Sequence, residues 1–280
     1  MRDLPIGFID SGFGGLTVVK QSLKQLPNES IIYLGDNARC PYGVRSLSQV
    51  KEFIYQLTDF LLTKGIKMLV IACNTGTAAA LADLKHDLSI PVVGVIDSGS
   101  RAAIRVTQNN HIGVIATPAT IESQAYPNKI HEKSNQVQVD SLACPTFVDV
   151  VEKGTLKGQD LEDHIQETLQ PLLELGIDSL VLGCTHYPHL YESIQKVAGP
   201  QVALIDSGVE TINQVSTLLD YFKLSRTVAD NKRLAAQQAY YTTGDPQVFG
   251  QVARTWLKDQ TIQIQSCTIQ GGQIYEVVDR

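Results

Sequence analysis

Two cysteines occur in matching sequence contexts, 111 positions apart. Cys73 follows the apolar run MLVIA at 68–72, and Cys184 follows the run SLVLG at 179–183. Such runs are typical of buried parallel strands, and open α/β sheets bind ligands just beyond the carboxyl ends of those strands. One cysteine there is compatible with a structural role, because free cysteine is among the most buried residue types. Two in equivalent contexts indicate a pair of reactive thiols.

A pair of thiols on opposite sides of a small substrate suits racemisation. One group removes a proton from one face of a carbon, and the other delivers a proton to the opposite face. Each thiol is then a thiolate base in one direction and a thiol acid in the other. The α-proton of an amino acid is weakly acidic, so this chemistry requires a closed, dry cleft with strong electrostatic stabilisation.

Polar residues beside both cysteines suit an anionic substrate. Asn74 and Thr75 follow the first cysteine, and Thr185 and His186 follow the second. Hydroxyl and amide groups at helix N-termini can donate hydrogen bonds to a carboxylate, although Asn and Thr are also common helix caps. His186 can polarise the adjacent thiol or simply satisfy local hydrogen bonds.

The segment DSGFGG at 10–15 follows the first predicted strand. It matches neither the dinucleotide-binding nor the P-loop pattern. Gly14 and Gly15 instead favour a tight turn from strand to helix, with Asp10 and Ser11 facing the cleft. Asp10 can orient a neighbouring acid or base there, or it can cap the helix.

Two further regions are weaker candidates. Pro41, Tyr42 and Gly43 predict a turn whose backbone can approach a ligand closely. Glu152 has the pattern of an ordinary surface residue. The remaining cysteines lack a matching context, and we interpret them as structural: Cys40, Cys144 and Cys267.

Composition excludes several classes of protein. The formal charge of −6, without a run of Lys and Arg, argues against a nucleic-acid partner. Five cysteines without a close pair predict neither a disulfide framework nor a CxxC site. Cys184, His186 and His189 are not spaced as a zinc set, so no metal is expected. The apolar runs are too short for a membrane helix and the N-terminus lacks a signal peptide, which predicts a cytoplasmic protein.

Alternating strand and helix patterns predict an α/β protein with mainly parallel sheets covered by helices. Its 280 residues suffice for two lobes, and a second half repeats the plan of the first. Predicted strands lie at 6–10, 31–35, 68–72 and 92–95, then at 111–116, 137–141, 179–182 and 201–205. The tetrapeptide Ile-Asp-Ser-Gly recurs at 9–12, 96–99 and 205–208. We expect the last two copies to close the fourth strand of each half.

These repeats predict a discontinuous first lobe at 1–97 and 207–280, and a second lobe at 98–206. The lobes are expected to be related by a pseudo-two-fold axis. The active site would lie in the cleft between them, where each lobe contributes one cysteine.

Four segments, taken together, resemble the cofactor-independent glutamate racemases of bacterial cell-wall synthesis. They are DSGFGGL at 10–16, the stretch from Asp36 to Gly43, ACNT at 72–75, and LGCTHYP at 182–188. The resemblance runs in the same order over nearly the whole chain. It implies interconversion of L- and D-glutamate without a cofactor, the D form being used in peptidoglycan. It also leads us to expect a homodimer that acts on a small molecule, with no membrane association.

The resemblance also implies roles for individual residues. Cys73 corresponds to the base acting on D-glutamate and Cys184 to the base acting on L-glutamate. Asp10, His186 and Glu152 correspond to residues that assist them. The implied substrate contacts are Asp10, Ser11, Pro41, Tyr42, Gly43, Asn74, Thr75, Thr185 and His186, with Thr117 and Thr120 as further candidates across the cleft.

Other functions remain open at this stage. Aspartate and hydantoin racemases share the two-cysteine logic, although Tyr42-Gly43 and the THYP segment at 185–188 favour glutamate. A related decarboxylase would keep only one of the two thiols. A two-lobed amino-acid-binding protein would explain the cleft without chemistry, but it would typically carry an export signal. The residue pattern alone also leaves a Schiff-base lysine open.

Overall fold

The computed structural model describes residues 1–277 and shows an α/β protein built around two sheets. Its strands, β1 to β11, lie at Ile6–Asp10, Ile31–Gly35, Met68–Ile71, Val92–Gly94, His111–Ala116, Gln138–Ala143, Ser179–Gly183, Ala203–Asp206, Gln238–Thr242, Ile264–Gln270 and Gln273–Glu276.

The α-helices cover both faces of the sheets. They are α1 to α12, at Leu16–Gln25, Leu47–Thr63, Asn74–Asp87, Val95–Val106, Pro118–Glu122, Ala125–His131, Thr146–Glu152, Gln159–Leu173, Tyr191–Ala198, Ser207–Tyr221, Val228–Arg233 and Pro246–Leu257. Short 3₁₀ helices occur at Tyr42–Val44 and Tyr187–Leu190.

Both sheets contain the same four-strand arrangement. The larger sheet has the order β11-β10-β9-β2-β1-β3-β4, and the smaller has β6-β5-β7-β8. The cores β2-β1-β3-β4 and β6-β5-β7-β8 therefore place their strands identically in chain order. All strand pairs are parallel except β10 with β11. The predicted α/β class, with two mainly parallel lobes, is confirmed.

Burial explains why β1 needs apolar side chains on both faces. Phe8 packs with α1, α10 and α12, which contribute Leu16 and Phe249 among others. Ile9, the next residue along the strand, packs with the core on the other face, where α2 contributes Ile54. Successive strand residues point to opposite faces, so a strand covered on both sides reads as a continuous apolar run.

The two later copies of the repeated tetrapeptide lie in different secondary structure. Residues 205–208 end β8 and begin α10, close to the expectation. The expectation for 96–99 was wrong, because these residues lie inside α4. The pairing of β4 with β3 ends at Gly94 opposite Ile71, so no ladder continues beyond that point.

Helices α4 and α10 pack against each other where the chain passes between the two sheets. A Cβ on Gly99 would lie 2.3 Å from Ser207 Oγ, so this crossing needs glycine. The predicted lobe boundaries stay a prediction, and residues 278–280 of the predicted first lobe lie outside the described residues. Below, the first lobe is the chain around the larger sheet, and the second lobe is the chain around the smaller one.

Candidate active site

The carboxyl ends of the strands in both lobes open onto one narrow cleft. The cleft leaves about 20 Å³ for the centres of water-sized molecules, which is room for about one water molecule. A substrate of amino-acid size therefore enters only if the lobes separate. The lining residues are Ser11, Cys40, Pro41, Tyr42, Gly43, Cys73, Asn74, Thr75, Thr117, Val148, Gly183, Cys184, Thr185 and His186.

Two glycines of the first lobe allow this close approach. A Cβ on Gly14 would lie 2.1 Å from Thr185 Oγ1, and one on Gly43 would lie 2.5 Å from Thr117 Cβ. Both distances are far below contact, so any side chain there would push the lobes apart. The flanking Thr17 hydroxyl, which donates to the Gly14 carbonyl at 2.8 Å, also lies 3.3 Å from the carbonyl oxygen of Thr185.

Cys73 is the N-cap of α3 and is almost fully buried. Its Sγ accepts a hydrogen bond from the backbone N–H of Gly76 at 3.3 Å. Burial raises the pKa of Cys73 to about 12, and the nearby Asp10 carboxylate adds to this rise. Hydrogen bonds from Gly76 and Ser11 oppose it without reversing it. Cys73 is therefore a neutral thiol at rest.

Asp10 ends β1 and is completely buried. Its Oδ2 accepts a hydrogen bond from Gly12 N–H at 3.1 Å. Within residues 1–277, Oδ1 has no hydrogen-bond partner. Burial raises the pKa of Asp10, because desolvation disfavours the charged carboxylate. The Asp10 carboxylate is close enough to Cys73 to raise its pKa, and a carboxylate whose own pKa is raised is a candidate proton acceptor.

Cys184 has a different set of neighbours. Its Sγ lies 3.8 Å from Nδ1 of His186, and Nε2 of His186 lies 3.2 Å from Oε1 of Glu152. Burial alone would lower the pKa of His186, but its hydrogen bonds to Cys184 and Glu152 raise it to about 10. The imidazole is therefore charged at neutral pH, and it carries this charge beside the Cys184 sulfur.

Three threonine hydroxyls meet across the cleft. Thr75 Oγ1, from the first lobe, lies 3.0 Å from the hydroxyls of both Thr117 and Thr120 in the second lobe. Thr117 and Thr120 are 3.1 Å apart, and all three residues are buried. A hydroxyl cluster of this kind can donate several hydrogen bonds to one carboxylate.

Most residues predicted for the site meet at this cleft. Asp10, Thr120 and Glu152 lie behind the lining: Thr120 contacts Thr75 and Glu152 contacts His186, while Asp10 precedes Ser11 in the chain and accepts from Gly12. The Tyr42 hydroxyl donates to buried Asp36, so the phenol does not offer its hydroxyl to a ligand.

Some neighbours were missed from the sequence. Cys40 and Val148 line the cleft, and the Tyr126 hydroxyl bonds to Asn74. Cys40 could have been found from its place directly before the Pro41 turn. Tyr126 gives no local signal, because only the tertiary fold brings it to Asn74.

Among residues 1–277, no cluster of three or more His, Cys, Asp or Glu side chains is arranged to hold a metal ion. Over the same residues, every helix is too short or too polar to cross a membrane.

The chain is similar to known proteins over nearly its whole length. Residues 6–215 match the family model described as Asp/Glu/Hydantoin racemase. A glutamate racemase from Carnobacterium sp. (strain St2) is 52% identical over 269 residues, which cover 96% of this chain and 100% of that protein.

Solved structures show the same likeness. A glutamate racemase from Bacillus anthracis has a TM-score of 0.90 at 41% identity, covering 98% of this chain and 100% of that one. A glutamate racemase from Francisella tularensis, solved in complex with D-glutamate, has a TM-score of 0.85 at 38% identity. That match covers 95% of this chain and 97% of the other.

Proposed function

Because the chain belongs to the Asp/Glu/hydantoin racemase family, we propose that it interconverts L- and D-glutamate by transferring protons between two cysteines and the α-carbon. The observation that carries this proposal is the placement of Cys73 and Cys184 after equivalent strands, β3 and β7, on one closed cleft. Two-base racemisation needs this arrangement, since a single base returns the proton to the face it came from.

Glutamate suits the polar groups around the thiols. The Thr75–Thr117–Thr120 cluster provides hydroxyl donors from both lobes, and Asn74 and Thr185 add further polar groups. The Francisella tularensis relative was solved with D-glutamate, which supports the same substrate here. Ser11 and the backbone of Pro41 and Gly43 complete the proposed contacts.

With L-glutamate, Cys184 acts as a thiolate and removes the α-proton. The charged His186 imidazole stabilises that thiolate, and Glu152 holds the imidazole from its other nitrogen. Cys73 then gives its thiol proton to the opposite face of the carbanion. The products are D-glutamate, a Cys184 thiol and a Cys73 thiolate, so the number of protons is conserved.

With D-glutamate the same steps run in reverse, and Cys73 must first lose its proton. The unpartnered oxygen of Asp10 is the proposed acceptor. The high pKa of Cys73 makes its thiolate a strong base, which suits the removal of a weakly acidic proton. No step requires a cofactor. Supply of D-glutamate to peptidoglycan, a cytoplasmic location and a homodimer stay predictions.

Incubation of the purified protein with L-glutamate in D₂O tests the proposal. We expect the circular dichroism signal to decay to zero while deuterium enters the α-position. Unchanged optical activity would refute glutamate racemisation. L-aspartate, run in parallel, tests the rival substrate, and faster racemisation of aspartate would reassign the specificity.

A further inference from the structure

Tyr126 lies in α6 of the second lobe and is 1% exposed. Its hydroxyl lies 2.7 Å from Asn74 Oδ1 and 2.9 Å from Ser207 Oγ. Asn74 belongs to the first lobe and directly follows Cys73, while Ser207 begins α10. One phenol oxygen therefore joins the second lobe to a cleft residue and to a helix that connects the lobes.

The Tyr126 ring is held from two sides. A Cβ on Gly183, directly before Cys184, would lie 3.1 Å from its Cε2. A Cβ on Gly99 in α4 would lie 3.4 Å from its Cε1. The ring thus packs next to the residue before one cysteine, and its hydroxyl reaches the residue after the other cysteine.

The donors and acceptors of these groups determine the direction of the two hydrogen bonds. A tyrosine hydroxyl donates once, and it donates here to Asn74 Oδ1, so Ser207 is the donor to the phenol oxygen. In the part of the chain that the structure describes, residues 1–277, the amide N–H donors of Asn74 make no hydrogen bond, so they are available to a ligand. Burial raises the pKa of Tyr126, so its hydroxyl keeps its proton throughout the working range.

We propose that Tyr126 is a positioning residue that turns the Asn74 amide so that its N–H donors face the substrate. Tyr126 and Asn74 belong to different lobes, so the contact spans the closed cleft and holds the Asn74 amide in that state. This inference rests on the proposed glutamate site and adds the group that sets the orientation of one of its donors.

The first test is Tyr126→Phe, which removes the hydroxyl and keeps the ring. Loss of one oriented hydrogen bond is expected to lower kcat/KM for glutamate about tenfold, mainly through a higher KM. Tyr240→Phe is the matched control, since that buried tyrosine bonds only to Gln238 among the described residues and lies on β9. We expect the control to leave KM unchanged. A KM within twofold of wild type in Tyr126→Phe would overturn the proposal.

A double-variant cycle distinguishes positioning from general structural damage. If Tyr126 acts through Asn74, adding Tyr126→Phe to Asn74→Ala should raise KM no further. Fully multiplicative losses would overturn the proposal, because they would show that the two residues act independently.

Asn74→Asp keeps the acceptor for Tyr126 and removes the N–H donors. We expect a higher KM, and this variant serves even if Tyr126→Phe fails to fold. An unchanged KM would overturn the proposed orientation of the amide. If the wild-type protein does not racemise glutamate, the proposed function fails. The coupling between positions 126 and 74 can still be measured in that case, by thermal unfolding of the same four proteins.

Discussion

The surroundings of Cys73 and Cys184 differ although the strands before them occupy equivalent places in their sheets. Both cysteines are buried, but Cys73 accepts a backbone N–H and has the buried Asp10 nearby. Cys184 faces a charged His186 that is backed by Glu152, a residue 36% exposed in its side chain. The two sheets thus place their thiols alike, while the side chains around each thiol differ.

In the proposed mechanism, this difference in surroundings bears on which thiol acts as the base first. Two-base catalysis requires one thiol and one thiolate at the start of each turnover. Burial raises the pKa of Cys73 to about 12, and the charged His186 imidazole lies 3.8 Å from the Cys184 sulfur. In the proposed mechanism, this difference favours turnover that starts from L-glutamate, and the D direction requires a proton to move first.

Replacement of the thiols themselves should have the largest effect. Cys73→Ser and Cys184→Ser are each expected to lower racemisation by roughly 10³-fold or more, since a serine hydroxyl is a far weaker acid and is not ionised near neutral pH to act as the base. In D₂O, each variant should exchange the α-hydrogen only of the enantiomer whose base remains, without inversion. Proton NMR of both enantiomers measures this.

Cys144→Ser is the matched control, because this buried thiol is in the second lobe and its Sγ bonds to Leu142 O at 3.8 Å. It should keep turnover. Full activity in either Cys73→Ser or Cys184→Ser would contradict the pairing of the two cysteines.

Replacement of the helpers should reveal the asymmetry between the two sides. Asp10→Asn is expected to lower kcat for D-glutamate by about 100-fold, and His186→Asn to lower kcat for L-glutamate by a similar factor. The kcat/KM values of the two directions must stay equal in each variant, because enantiomers have an equilibrium constant of one. Progress curves from each pure enantiomer give both parameters. If a variant lowered kcat equally in both directions, its residue would not act on one cysteine alone.

The charge on His186 should also appear in the pH dependence of stability. Its pKa is raised from 6.5 to about 10 in the folded protein. The stabilisation linked to this proton is therefore complete below about pH 6.5 and is lost as pH rises to about 10. The free energy of unfolding of wild type minus that of His186→Asn should shrink over this range, as measured by urea unfolding at several pH values. A constant difference would mean that the imidazole is neutral in the folded protein.

Much of this asymmetric site is visible in the sequence, because its thiols stand at strand ends. The periodicity of apolar residues placed β1, β2 and β5 within their observed bounds. Local pattern also marked Asp10 and His186, which lie within two residues of a strand end or a cysteine.

Long-range contacts could not be predicted in this way. The bond from Tyr126 to Asn74 spans 52 residues and depends on how the lobes close. The same limit applies to Tyr42, whose hydroxyl is occupied by Asp36. The copy of the tetrapeptide at 96–99 was misplaced because the length of β4 depends on its pairing with β3.

The smallest effect is expected at Glu152, which reaches Cys184 only through His186. Glu152 contacts His186 only through Nε2 and is partly exposed, so solvent screens the pair and Glu152→Gln should lower kcat for L-glutamate only about two- to fivefold. An amide still occupies the same space near Nε2 but lacks the negative charge that favours the imidazolium.

Asp149→Asn is the matched control, because it removes a carboxylate from the exposed face of the same helix, α7, and should leave kcat unchanged. Initial rates from L- and D-glutamate, compared at low and high salt, measure the effect. A loss as large as that of His186→Asn would show that Glu152 carries the proton itself, and the two sides would then differ in the number of acid/base groups.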